Sequence, residues 1–210
     1  LISNSGKSFM DLPAGSVIGT SSIRRRSQVL SLRKDLSIKL LRGNVDTRIQ
    51  KLRNNEYDAV ILSLAGLSRL NLDHLVTEVL EHNLFLPAVC KGAVGVQALK
   101  SSEIKKILAP IHDFKTQSEC MAERSILKNI NANCNSPVSI YANINKNNIT
   151  IQFEIFDHHG NKIFKKSKED TKENYVKLCD ELSEEIINTV GQTKINELDN
   201  LKSDFDYTPS

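Results

Sequence analysis

Arg42 and Arg48 flank a glycine turn in Leu41-Arg42-Gly43-Asn44-Val45-Asp46-Thr47-Arg48, where an apolar run closes and a helix is predicted to begin. Guanidinium groups grip carboxylates and phosphates through two parallel hydrogen bonds, and a helix N-terminus adds free N–H donors with a partial positive charge. An arginine at the end of a buried strand needs a partner, and Gly43 lets backbone approach a ligand closely. The chemistry expected here is the binding of an anion.

The same design appears earlier in Thr20-Ser21-Ser22 followed by Arg24-Arg25-Arg26. Successive helical residues lie about 100° apart, so at most two of these three arginines can enter one site. Hydroxyls, N–H groups and guanidinium together make an anion cradle. Arg69 follows a third apolar run, and by itself is as consistent with a surface position. Cys134 sits in a polar, Asn-lined loop that exposes its sulfur, whereas Cys90, Cys120 and Cys179 complete a set with no CxxC spacing for zinc or for a disulfide framework. His158 and His159 have no partner at ligand spacing and are assigned to the surface.

Three strand-to-helix units carry the arginines. Residues 16–19 form a strand, with Thr20-Ser21-Ser22 as N-cap donors for a helix over 23–32. Residues 37–41 form the next strand, followed by a helix in which Val45, Ile49 and Leu52 recur at helical spacing up to Asn54-Asn55. Residues 57–64 read as a third strand, with Gly66 opening a short helix through Arg69. Such succession implies a parallel sheet, whose ligands bind where the strand-to-helix loops gather. Arg24, Arg25, Arg42, Arg48 and Arg69 all fall in or after those loops.

Residues 86–96 are predicted to be a strand and turn passing between lobes, since Pro87 argues against helix. Helical spacing returns at Ile104, Ile107 and Leu108, and an amphipathic helix is predicted over 118–130 through Cys120, Met121, Ile126 and Leu127. Strands follow at 138–144, 149–156 and 162–166, with turns at Asn147-Asn148 and at His159-Gly160-Asn161. One long helix over 172–198 places Tyr175, Leu178, Cys179, Leu182, Ile186, Ile187 and Val190 on a stripe that covers this sheet.

At 210 residues, 40% hydrophobic and 25% charged, the composition is that of a globular protein. A net charge of +3 with 5% aromatic residues is too weak a bias for a nucleic-acid binder, which combines a strong basic face with interleaved aromatics. The longest apolar run, 59–67, falls well short of the roughly eighteen residues needed to cross a bilayer. A soluble protein with neither nucleic-acid nor membrane partner is therefore expected. The chain opens at Leu1 without an initiator methionine and reads as part of a longer protein, so its compartment is not legible.

Gly19-Thr20-Ser21-Ser22-Ile23-Arg24-Arg25, Leu41-Arg42-Gly43-Asn44-Val45 with Thr47-Arg48, Tyr57-Asp58-Ala59-Val60-Ile61-Leu62 with Ala65-Gly66-Leu67, Leu86-Pro87-Ala88-Val89, Glu123-Arg124, and Cys134 with Pro137 together resemble the porphobilinogen deaminase (hydroxymethylbilane synthase) family. The resemblance implies an α/β fold: a doubly wound, periplasmic-binding-protein-like lobe plus a small α+β C-terminal domain with a three-stranded antiparallel sheet. It assigns 1–86 to the second α/β lobe, 87–113 to a segment returning to a first lobe largely absent here, and 114–210 to the C-terminal domain.

It also implies a monomeric transferase that condenses four porphobilinogen molecules head to tail, releasing ammonia at each step, on a dipyrromethane primer. In this chain the primer would be thioether-linked to Cys134. Thr20, Ser21, Ser22, Arg24, Arg25, Arg42, Gly43, Arg48 and Arg69 would bind the acetate and propionate groups of the cofactor and the growing oligopyrrole. The catalytic acid would lie in the absent lobe, which would leave this chain alone inactive. Two departures stand out: Cys90-Lys91 where the family commonly has Gly-Gln, placing a thiol and a cation near the cleft, and Ala132-Asn133 where it commonly has Gly-Gly. The alternative from another class is a two-lobed solute-binding protein for a small carboxylate, which offers no role for the Cys134 loop.

Overall fold

Two sheets organise the computed structural model, which describes residues 1–133, 135–198 and 205–209. In the first, β1 (Ile2–Ser3), β2 (Val17–Thr20), β3 (Ser37–Leu40) and β4 (Ala59–Val60) lie in the order β1-β4-β2-β3. The strands β2, β3 and β4 are mutually parallel, and β1 is an antiparallel edge. Between them run α1 (Ile23–Leu32), α2 (Val45–Arg53) and, after β4, α3 (Leu64–Arg69).

Two apolar clusters flank this sheet. Ile18, Ile38 and Ala59 pack with Val29 and Leu30 of α1. Leu41 and Val60 pack instead with Ile49 and Leu52 of α2 and Leu67 of α3. Successive strand residues point to opposite faces, so adjacent Ala59 and Val60 serve different cores and both faces are covered.

Phe114–Asn129 forms the long helix α5, after the short α4 (Ser102–Leu108), and Asp113 caps it by accepting from the Thr116 N–H at 2.6 Å. The second sheet is an antiparallel meander of β5 (Val138–Asn145), β6 (Asn148–Phe156) and β7 (Lys162–Thr171). Ile149, Ile151, Phe153 and Ile155 alternate into a core shared with α5, α6 (Tyr175–Val190) and α7 (Gln192–Leu198). Each aliphatic side chain so buried stabilises the fold by about 1.5–3 kcal/mol.

Several expectations need correction. The third strand is two residues long instead of 57–64, because a buried apolar run reports burial and not extended backbone; the chain turns into α3 at Leu64, ahead of Gly66. Residues 86–96 hold no strand: they turn at 88–91, where the Lys91 N–H donates to the Ala88 carbonyl at 3.0 Å, and Val94 and Val96 are exposed. Extended backbone becomes a strand only beside a ladder partner. In α5 the inward stripe is Ala122, Glu123 and Ile126, while Met121 is exposed. The final helix breaks at Gly191, whose φ of 86° no α-helix can pass through.

The two sheets meet along α1. Arg26 donates to the carbonyls of Phe205 and His158, each at 2.7 Å, and Lys34 donates to Asn161 at 2.8 Å. His158 is therefore half-buried against α1 and not a free surface residue; its Nδ1 has no hydrogen-bond partner among the described residues, whereas His159 is exposed. Residues 205–209 return to the first sheet, where Ile38 and Tyr207 exchange backbone hydrogen bonds at 2.7 and 2.8 Å.

Candidate functional site

Thr20, Leu40 and Val60 end three adjacent parallel strands at the same edge, and the ladder continues one step through the bonds from Leu41 N–H to the Thr20 carbonyl and Ile61 N–H to the Gly19 carbonyl. Gly19 sits where a Cβ would lie 2.8 Å from Tyr57 and 3.0 Å from Val60. Only a residue without a side chain lets β2 run between its neighbours there. Each strand then turns abruptly, and the arginines emerge from those turns.

The Thr20 hydroxyl accepts from the Ser22 N–H at 3.2 Å, and the Ser22 hydroxyl caps α1 by accepting from the Arg25 N–H at 3.3 Å. Both hydroxyls thus shape the turn and still keep a hydrogen to donate. Ser21 is exposed. At the next turn Asn44 caps α2, accepting from the N–H and the hydroxyl of Thr47 at 2.9 and 2.7 Å. A Cβ on Gly43 would lie 2.8 Å from Thr47 Cγ2, so this glycine is needed by the cap itself. Arg48 Nε donates back to the Gly43 carbonyl at 2.8 Å, and Arg42 is exposed.

Arg24, 9% exposed, is held by neutral acceptors: the Gln28 side-chain oxygen at 2.7 Å and the Leu86 carbonyl. Gln28 in turn donates to Leu86 at 2.9 Å and to the Ser139 hydroxyl of β5 at 3.2 Å, tying three segments together. Arg25 donates to the Ile61 carbonyl at 3.0 Å. Burial, with Arg25 alongside, lowers the Arg24 pKa to about 10. Burial and then Arg48 lower that of Arg25. Lys91 is lowered by burial and then by Arg25 and Arg24. Among the described residues, no salt bridge neutralises Arg24, Arg25, Arg42, Arg48, Arg69 or Lys91.

Arg24, Arg25 and Lys91 line one cleft of about 300 Å³, with Leu62, Phe85 and Tyr141 on its apolar wall. Arg48 acts on Arg25 from outside it. Thr20, Ser21, Ser22, Arg42 and Gly43 stand at the same strand edge but do not line that cleft, and exposed Arg69 in the last turn of α3 does not either. Cys134 lies outside the described residues. Reading the sequence alone missed Gln28, although its i+4 spacing from Arg24 was visible, and Tyr141, which reaches the cleft from the other sheet. Among the described residues, no group of three His, Cys, Asp or Glu could hold a metal ion, and no helix is long and apolar enough to cross a membrane.

The family model "Porphobilinogen deaminase, dipyromethane cofactor binding domain" matches residues 1–106, and "Porphobilinogen deaminase, C-terminal domain" matches 117–188. The chain belongs to the porphobilinogen deaminase family. The first match contains the parallel sheet with its arginine-bearing turns, and the second contains the antiparallel sheet and most of its helical cover. Among similar proteins, the porphobilinogen deaminase of Clostridium kluyveri is 41% identical over 188 residues, covering 89% of this chain and 63% of the relative. That of Maridesulfovibrio salexigens is 39% identical over 188 residues, covering 89% and 61%, and that of Syntrophobacter fumaroxidans is 37% identical over 169 residues, covering 80% and 55%. The chain thus spans about three-fifths of the length of these curated relatives. A solute-binding protein is not favoured by any of these matches.

Proposed function

We propose that the complete protein containing this chain is a hydroxymethylbilane synthase, joining four porphobilinogen molecules head to tail with loss of one ammonia per addition. The observation that carries this reading is a cleft at the ends of parallel strands where Arg24, Arg25 and Lys91 outnumber the one carboxylate in the lining, Glu78, and form no salt bridge among the described residues, in a chain of the porphobilinogen deaminase family. Unneutralised, partly desolvated guanidinium groups suit a guest that brings many carboxylates. A dipyrromethane bearing acetate and propionate groups fits that donor set, and when bound it supplies the anchored pyrrole to which new units join.

Arg24 and Arg25 hold carboxylates inside the cleft, and the hydroxyls of Thr20, Ser21 and Ser22, at the same strand edge but outside that cleft, shape the turn that presents the guanidinium groups and donate to the guest where it extends beyond it. Arg42, Arg48 and Arg69 take the outer carboxylates as the oligopyrrole lengthens, and the Gly43 turn aims Arg42 and Arg48. Cys134 provides the thioether sulfur. Proton transfer falls to an acid on the lobe that this chain lacks, which leaves these residues alone as binders and positioners, inactive by themselves. The parallel sheet with covered faces supports a periplasmic-binding-protein-like lobe over 1–86, with 114–210 as the C-terminal domain, whose 205–209 segment reaches back to β3 of that lobe. Exposed Val94, Val96, Leu99, Ile107 and Ile111 support the assignment of 87–113 to a lobe that would cover them.

Intact-mass measurement of the complete protein tests this. A mass increase equal to a dipyrrole, with a pink Ehrlich reaction, is expected on Cys134 and is lost in Cys134→Ser. An unmodified thiol in the complete protein, together with no consumption of porphobilinogen, would refute the reading.

A further inference from the structure

Lys91 reaches the cleft from the turn at 88–91, not from a strand-to-helix loop, and that turn is fixed by an unusual anchor. Cys90 occupies the left-handed region at φ 56°, and its N–H donates to Glu123 Oε2. The other oxygen, Glu123 Oε1, accepts from the Ala142 N–H of β5 at 2.9 Å. Glu123 is 5% exposed and forms no salt bridge among the described residues. A buried carboxylate that among the described residues accepts from two backbone N–H groups is costly, and burial pushes its pKa upward accordingly. What it secures is the junction of three segments: the 88–91 turn, α5 and β5. Lys91 is exposed at the cleft, and its ammonium is placed beside two guanidinium groups that repel it, with Glu78 the one carboxylate in the same lining.

We infer that Lys91 is a specificity-determining residue that binds a carboxylate of the pyrrole guest in the cleft, and that Glu123 is the positioning residue that sets it there. This rests on the reading of the cleft as a polycarboxylate site. A side chain held among like charges gains most when an anion arrives, because binding relieves repulsion as well as forming a charge-assisted hydrogen bond.

Two measurements on the complete protein test the inference. In porphobilinogen turnover, Lys91→Gln is expected to raise KM about tenfold, the scale of one charge-assisted hydrogen bond, with kcat within about twofold and a weaker dependence of KM on ionic strength. Lys91→Arg is expected to restore KM to within about threefold. Glu123→Gln offers one acceptor oxygen in place of two and is expected to raise KM as Lys91→Gln does. The double variant is then no worse in KM than Lys91→Gln alone. In calorimetric binding of benzene-1,2,4,5-tetracarboxylate, Lys91→Gln is expected to weaken affinity about tenfold.

An active protein whose KM and tetracarboxylate affinity are both indifferent to Lys91→Gln overturns the inference. Independent, additive effects of the two variants overturn the positioning role of Glu123. A wild type that binds the tetracarboxylate through Lys91 but does not turn over porphobilinogen overturns the proposed activity and leaves Lys91 as an anion ligand.

Discussion

Gly160→Ala is expected to loosen the seam on which the arginine helix rests. Gly160, in the turn between β6 and β7, has φ 76°, and an added Cβ would lie 2.5 Å from Leu30 Cβ and 3.0 Å from both the Leu30 carbonyl carbon and the Ser27 oxygen. Ordinary carbon contacts lie near 3.5–4.0 Å, and two of these three atoms are backbone of α1, which cannot swing aside. The left-handed backbone costs about 1–2 kcal/mol for alanine, and overpacking adds about 1–3 kcal/mol. Partial relaxation of the turn leaves a net loss of about 3 kcal/mol.

Urea unfolding of the complete protein measures this as a lower midpoint with unchanged slope. Gly160→Asn is the control: asparagine tolerates the left-handed region better but brings the same Cβ, so it should lose the steric part and recover some of the backbone part. Because α1 also carries Arg24 and Arg25, both variants should retain less of the cofactor by intact mass. A change in stability under about 0.5 kcal/mol for Gly160→Ala would refute the reasoning, since it would mean that the turn does not bear on α1.

Arg42→Ala is expected to change stability by less than about 0.5 kcal/mol, as befits an exposed residue, while slowing porphobilinogen consumption; unfolding of this variant would contradict a binding role. Arg24→Ala removes a buried guanidinium held by Gln28 and Leu86, so it should lose about 1–3 kcal/mol and most of the bound cofactor, read by thermal denaturation and intact mass. Glu123, with its pKa raised above 4.5 by burial, binds a proton more readily folded than unfolded. Its contribution to stability is therefore full below pH 4.5 and lost as pH rises through the folded value, and Glu123→Gln should remove that component from urea midpoints measured across the range. Glu185, lowered by hydrogen bonds from Lys166 and Lys168, acts in the opposite sense: its stabilisation is present above pH 4.5 and lost as pH falls, a slope that Glu185→Gln should abolish.

Local signals were strong wherever one segment decides its own structure. An apolar run followed by hydroxyl caps defined α1, and the 3.6-residue stripe of Val45, Ile49 and Leu52 defined α2, both close to their observed limits; alternation at 149, 151, 153 and 155 defined β6. The 100° step between helical residues dictated that Arg24, Arg25 and Arg26 must diverge. The parallel sense of β2, β3 and β4 followed from the strand-helix succession, and with it the placing of the arginine-bearing turns at one sheet edge; their spatial order did not. Those features depend on backbone geometry and burial within a few residues, which a sequence carries directly.

Tertiary contact alone decided which divergent arginine went where: Arg24 and Arg25 to the cleft, Arg26 across the seam to Phe205 and His158. It also decided that the 205–209 segment pairs with β3, that β1 forms an edge, that Glu123 is buried to hold Cys90 and Ala142, and that Tyr141 reaches the cleft from the other sheet. Each of these joins residues tens to more than a hundred positions apart, and no periodicity records such a partner. Hydrophobic pattern specifies that a face is covered; only the packed chain specifies what covers it.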